Sequence, residues 1–168
     1  MTCKTEFAVN RSVFFLVILL ISVGCAHVIS KDIRGRADNS ISLSSVFRNP
    51  DAYRGSVVIV GGTIVNAVNK NEGTYLEVAE KPLNYRGIPK YSDSSFGRFI
   101  LVHPGFLDAA LFSKGRHVTV AGEVIGTRIQ KLDEMEYPYL FLKSIEIHLA
   151  GPDRGIPVHF GIGVSHSF

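Results

Sequence analysis

Cysteine is scarce in this chain, with only Cys3 and Cys25 among 168 residues. An excess of one charge is missing too. Lys and Arg number 18 against 15 Asp and Glu, the net charge is +3, and no basic cluster stands out. A nucleic-acid binder usually carries a basic stripe, so the composition argues against that class. Long apolar runs are absent. The one run, residues 14–23, falls well short of the roughly 20 residues a spanning helix needs. Catalytic signatures are missing as well: there is no Gly-x-Ser-x-Gly elbow and no phosphate-binding Gly-Lys loop. Ser94, Ser113 and Ser165 have no supporting context for a nucleophile. Six histidines are scattered, His27, His103, His117, His148, His159 and His166. None is spaced with a carboxylate or cysteine as zinc ligands are. No metal, no cofactor and no enzymatic activity are therefore expected.

What the chain does have is a secretory layout at its start. Lys4 and Arg11 precede the short apolar run, and small residues follow it, as in a signal peptide. Ser22-Val23-Gly24-Cys25 resembles a bacterial lipobox, with Ser22 where a lipobox usually has Leu. The resemblance implies cleavage between Gly24 and Cys25 and acylation of the Cys25 sulfur, with membrane lipid as the partner. Two other readings stay open: ordinary cleavage after Ala26, and an uncut anchor. Loss of residues 1–24 would leave Cys25 as the single cysteine. A lone thiol is a liability in an oxidising compartment, and acylation removes it.

The remaining chain is long enough for one domain with a real core. Four parts are expected: a signal at 1–24, a lipidated cysteine and flexible tether at 25–45, a β domain at 46–150, and a glycine-punctuated tail at 151–168. The tether has no sustained period and, as a free coil, would span about 25 Å. Ser44 or Asn49 caps a short helical turn with Pro50 at its first position and Gly55 at its end. Strands follow at 56–65, 74–78, 97–102, 115–125 and 139–149. In the first, Val58, Val60, Gly62 and Ile64 face one side, while apolar Val57 and Ile59 suggest cover on the other. The fifth changes phase between Leu142 and Ile145, which predicts a β-bulge at Lys143 or Ser144. Residues 82–96 read as a long, flexible surface loop, residues 106–112 as a helical turn, and residues 127–136 as a charged connection.

Residues 55–65 and 115–125 match position by position without a gap, from Gly55 with Gly115 to Val65 with Ile125. Arg54 and Lys114 precede the two copies, and each is followed by a Tyr-Leu strand, Tyr75-Leu76 and Tyr139-Leu140. Two related halves are expected, with Gly62 and Gly122 at bends. The fold class is all-β: a small closed or partly open five- to six-stranded OB-like barrel with short helical turns. The tail alternates at Val158, Phe160, Ile162 and Val164, so it is either an edge strand or an irregular end. Another envelope protein or lipid is a candidate partner for it.

Several segments carry a family resemblance. They are Asn49-Pro50-x-x-Tyr53-x-Gly55, Gly61-Gly62-x-Ile64, Glu77-Val78-x-x-x-Pro82-Leu83, Gly97-Arg98-Phe99, Gly105-Phe106-Leu107-Asp108 and Val118-Thr119-Val120-x-Gly122-x-Val124-x-Gly126. On these the chain resembles the Slp family of outer-membrane lipoproteins. The resemblance implies a lipid-anchored protein of the outer membrane, facing the periplasm, linked to starvation or stationary phase. A binding or structural module of the envelope is the expected role, and no nucleic acid is expected as a partner. Two alternatives stay open. An envelope enzyme would need converging polar groups. His117 with His148, or Glu77, Glu123 and Glu146, occupy outward strand positions and read first as solvated faces. An OB-type nucleic-acid module would need a basic groove around Tyr75, Tyr85, Tyr91 and Arg98.

Overall fold

Alternating Val, Ile and Leu draw five strands into a closed barrel in the computed structural model, which describes residues 27–38, 40–132 and 134–150. The signal segment, Gly24, Cys25 and the tail at 151–168 lie outside the described residues. The strands are β1 (Val57–Lys70), β2 (Gly73–Glu80), β3 (Arg98–His103), β4 (His117–Leu132) and β5 (Met135–Leu149). Their order round the barrel is β1-β2-β3-β5-β4, with β4 closing onto β1. An odd number of strands cannot alternate direction all the way round, and the one parallel contact falls between β3 and β5. Val58, Val60, Ile64, Leu76, Val78, Phe99, Leu101, Val118, Val120, Leu140 and Leu142 fill the interior. Each such side chain contributes about 1.5–3 kcal/mol by leaving water. Two short helices, α1 (Lys31–Arg36) and α2 (Leu43–Arg48), precede the barrel, and a 3-10 turn at Pro50–Tyr53 leads into β1. Val46 of α2 is fully buried in the main core. Asn49 takes the N-cap position of the 3-10 turn without a side-chain cap hydrogen bond, Pro50 starts it, and Gly55 follows at φ +82°.

The repeat is a pseudo-twofold axis. Val60 pairs with Val120, its own counterpart sixty positions on. Val58 pairs with Gly122, and Gly62 with Val118, so each pair maps onto the other. The Gly55 N–H donates to the Val124 carbonyl at 2.8 Å, and the Gly115 N–H to the Ile64 carbonyl at 2.8 Å. The Val124 N–H donates to Ser56, and the Ile64 N–H to Arg116, at 2.9 and 2.8 Å. Even the bulges match: Val65 is left unpaired between Ile64 and Asn66, and Ile125 between Val124 and Gly126. Ile64 opposite Val78 and Val124 opposite Leu142 put Tyr75-Leu76 and Tyr139-Leu140 in equivalent places. β2 and β5 thus run in opposite directions, and a single strand between them must be antiparallel to one and parallel to the other. β3 is that strand.

Several expectations need correction. The charged connection at 127–136 is a continuous ladder down to Leu132 opposite Met135. Its strands carry little apolar periodicity because exposed residues dominate there. The extra residue in β5 is Ile145, skipped between the pairs Gly122–Ser144 and Ala121–Glu146, one position beyond the expected site. The turn expected at 106–112 closes at its second half, with the Leu111 and Phe112 N–H groups both on the Asp108 carbonyl, and does not extend into a helix.

The described part of the tether is not free. Ile29 is buried at 1% exposure, the Val28 N–H donates to the Arg86 carbonyl, and the Asp38 N–H to that of Val57. Ser30 caps α1 and donates through its N–H and hydroxyl to Glu146. The loop at 82–96 is held as well. Leu83 bridges to Pro89, Asn84 folds the turn onto its own side chain, and the Thr119 hydroxyl donates to the Gly87 carbonyl at 2.6 Å. These two segments cover the outer side of β1. A Cβ on Gly61 would sit 2.8 Å from Leu83 Cδ2 and 3.1 Å from Pro89 Cγ, so only glycine lets the loop lie this close.

Candidate functional site

The alternation that buries Leu76 and Val78 sends Tyr75 and Glu77 to the outer face of β2. β3 places Val102 opposite Tyr75, Ile100 opposite Glu77 and Arg98 opposite Ala79. β5 then sets Phe141 beside Ile100. The result is a second apolar cluster of Ile100, Tyr139 and Phe141, flanked by Tyr75, Val102, Ile125 and Tyr137.

A charged group is wired into this face. The Glu77 carboxylate accepts from Arg98 Nη1 at 2.6 Å and from the Tyr139 hydroxyl at 2.9 Å. The Arg98 N–H donates to the Tyr137 hydroxyl at 3.3 Å, and the Tyr137 and Tyr139 rings meet edge to face at 4.9 Å. Lys70 stands 4.4 Å over the Tyr75 ring and Arg128 4.9 Å over Phe141, both within cation–π range. The Arg98 and Glu77 side chains keep 32% and 19% exposure, so the pair is open to solvent. Burial, then the hydrogen bond to Glu77 and its charge, push the Tyr139 phenol up to about 12. Glu77 also raises Arg98 above its ordinary value. Near neutral pH the phenol stays a donor and the guanidinium a cation. Neither is poised to move a proton, and this arrangement favours binding over acid–base chemistry.

The other sequence candidates disperse. Tyr75 and Arg98 share the face, but Tyr91 lies against His117 with ring centroids 4.9 Å apart, and Tyr85 is exposed in the loop. His148 is buried opposite Thr119 rather than solvated. Glu146 holds Ser30, and Glu123 pairs across to Val57. Of the three serines, Ser94 donates its N–H to Ser92, Ser113 accepts from Arg116, and Ser165 lies outside the described residues, as do His159 and His166. Among the described residues no three His, Cys, Asp or Glu side chains group as metal ligands would.

Two residues escaped the sequence reading. Tyr137 fell between the connection expected at 127–136 and the strand expected at 139–149. Glu80, 1% exposed, is the inward residue after Val78 and accepts from the Phe96 N–H at 2.7 Å. A carboxylate in a core position breaks the apolar alternation, so nothing in the pattern marks it.

The sequence matches the family model described as Outer membrane lipoprotein Slp family over residues 23–156. It is 25% identical over 133 residues to the outer membrane protein Slp of Escherichia coli (strain K12), covering 78% of this chain and 70% of that one. It is 32% identical over 83 residues to an uncharacterized protein of Haemophilus influenzae, covering 49% of this chain and 45% of that one. Among solved structures, a small single-stranded DNA-binding protein from Streptomyces coelicolor is similar at TM-score 0.38 and 12% identity, covering 55% of this chain and 92% of that one. The mitochondrial single-stranded DNA-binding protein Rim1 from S. cerevisiae is similar at TM-score 0.36 and 14% identity, covering 56% and 92%. Likenesses this distant do not bear on what the chain binds.

Proposed function

Because the chain belongs to the outer membrane lipoprotein Slp family, we propose that acyl chains on Cys25, exposed by cleavage after Gly24, hold it at the outer membrane. There it faces the periplasm as a non-enzymatic binding module of the starved or stationary-phase cell. The contact surface is the outer face of β2, β3 and β5. The observation that carries this reading is the Glu77 carboxylate fixed between Arg98 and Tyr139 and flanked by Tyr75 and Tyr137.

The β2–β3 face of an OB-type barrel is where such barrels take oligonucleotides or oligosaccharides. The fold alone does not choose between them, and the site must. The Glu77 carboxylate, its charge matched by Arg98, is an acceptor suited to sugar hydroxyls. Aromatic rings beside it offer flat apolar surface to a sugar ring. An oligosaccharide is therefore the ligand class this face suits. Titration with chitooligosaccharides and maltooligosaccharides, followed by tyrosine fluorescence or NMR shifts, tests it. Saturable binding lost in Tyr75→Ala and Arg98→Ala is the expected result. Binding of single-stranded DNA instead, or no saccharide binding at all, overturns the ligand assignment.

A further inference from the structure

His27, the first described residue, is two positions from Cys25. Their α carbons are therefore at most about 7 Å apart. From there inward the backbone is fixed, through the Val28 bond to Arg86, the buried Ile29, and Ser30 held by Glu146. A lipid on Cys25 therefore brings one particular face of the domain to the bilayer.

That face is a groove of about 520 Å³ between α1 and the 82–96 loop. Its walls include His27, Lys31 and Arg34, with Ile59, Leu83 and Asn84 beneath. Arg36 and Arg86 are exposed beside it, as is the Tyr85 ring at 77% exposure. The acidic groups nearby are Asp32, exposed on α1, Asp38, which accepts from Ser40, and Glu146, which is occupied by Ser30. By formal charge the four cations Lys31, Arg34, Arg36 and Arg86 stand against the three carboxylates Asp32, Asp38 and Glu146, a small cationic excess on this side. The opposite end of the molecule is remote. From Thr119, bonded to Gly87, β4 runs on to Leu132, a reach of up to roughly 40 Å at strand spacing.

We propose that this groove and its cationic rim are the membrane-facing surface of the protein, seated on the anionic phospholipid headgroups of the leaflet that holds the acyl chains. The inference rests on lipid attachment at Cys25 and deepens it: the domain is docked in one orientation, not tethered at a distance. Lys31, Arg34, Arg36 and Arg86 attract headgroup phosphates, as juxtamembrane basic residues do. Tyr85 suits the headgroup layer, where amphipathic rings collect. The β4–β5 hairpin then projects away from the membrane.

The test uses the mature lipidated protein with a single added thiol, Tyr85→Cys or Gln130→Cys, each labelled with a fluorophore. The proteins are reconstituted into vesicles of phosphatidylcholine, with and without phosphatidylglycerol, carrying a headgroup-attached quencher. Flotation is measured first. A chain that does not float with either vesicle overturns lipid attachment itself. For chains that float, quenching at position 85 should exceed quenching at position 130 severalfold. The preference should grow with phosphatidylglycerol, and shrink with added salt and in the Lys31→Glu/Arg36→Glu protein. Equal quenching at the two positions in a floating protein overturns the docked orientation alone. A preference indifferent to phosphatidylglycerol and to charge reversal overturns the headgroup assignment.

Discussion

At the scale of single residues, the two glycines related by the pseudo-twofold axis are not equivalent. A Cβ on Gly62 would collide with the Ala79 carbonyl, a backbone atom that cannot swing aside. A Cβ on Gly122 would lie 3.1 Å from Leu142 Cβ and from the Lys143 carbonyl, a tight fit that a small shift relieves. Gly62→Ala should therefore cost about 1–3 kcal/mol or more, and Gly122→Ala clearly less. Urea midpoints at unchanged slope check the ranking. Glu80 adds a pH effect. Burial pushes its carboxyl above the ordinary 4.5, against the opposing pulls of the Phe96 N–H, Ser95 and Lys81. The folded chain thus binds this proton more tightly than the unfolded one. Its contribution is fully present below the unfolded pKa and is lost as pH rises through the raised folded value. Glu80→Gln keeps an oxygen for the Phe96 N–H and should remove that slope. The comparison is read as a difference between the two proteins over the mildly acidic range. Asp38, held low by Ser40, and Asp51, held low by the Thr127 N–H, contribute the opposite slope in both.

At the scale of elements, the segment before the barrel behaves as part of the domain. Ile29→Ala should destabilise by about 2–5 kcal/mol, the usual cost of emptying a fully buried isoleucine site. A free tether would show no change in a denaturation midpoint. This segment was not legible in the sequence, because one apolar anchor among polar residues has no period. The barrel strands were legible from the alternation at Leu76 and Val78 in β2 and from the runs of Val and Ile in β1 and β4, which are covered on both faces at Val58, Val60, Val118 and Val120. The β4–β5 ladder beyond Arg128 was not, since its pairing is carried by backbone hydrogen bonds while its side chains are mostly exposed. β2 ended too early in the reading because Glu80 occupies an inward position. Of the candidate site, Glu77 was recognised as an outward residue, and Tyr75 and Arg98 as members of a possible binding face with Tyr85 and Tyr91. Their meeting with Tyr139 depends on β3 lying between β2 and β5, a topology no local pattern encodes.

At the scale of the whole molecule, two related hairpins share an axis, a fifth strand closes the barrel, and family membership places the chain among outer-membrane lipoproteins. The proposed anchorage turns on Cys25. One acyl chain holds a protein only marginally, whereas two or more hold it stably without a spanning helix. Labelled palmitate supplied to a Gram-negative host expressing the wild type and Cys25→Ser is the most direct measurement. The wild type should take up label and fractionate with the outer membrane. Cys25→Ser, with no thiol to acylate, should take none and accumulate as an uncleaved precursor. An unlabelled wild type whose mature chain begins at His27 would contradict the account.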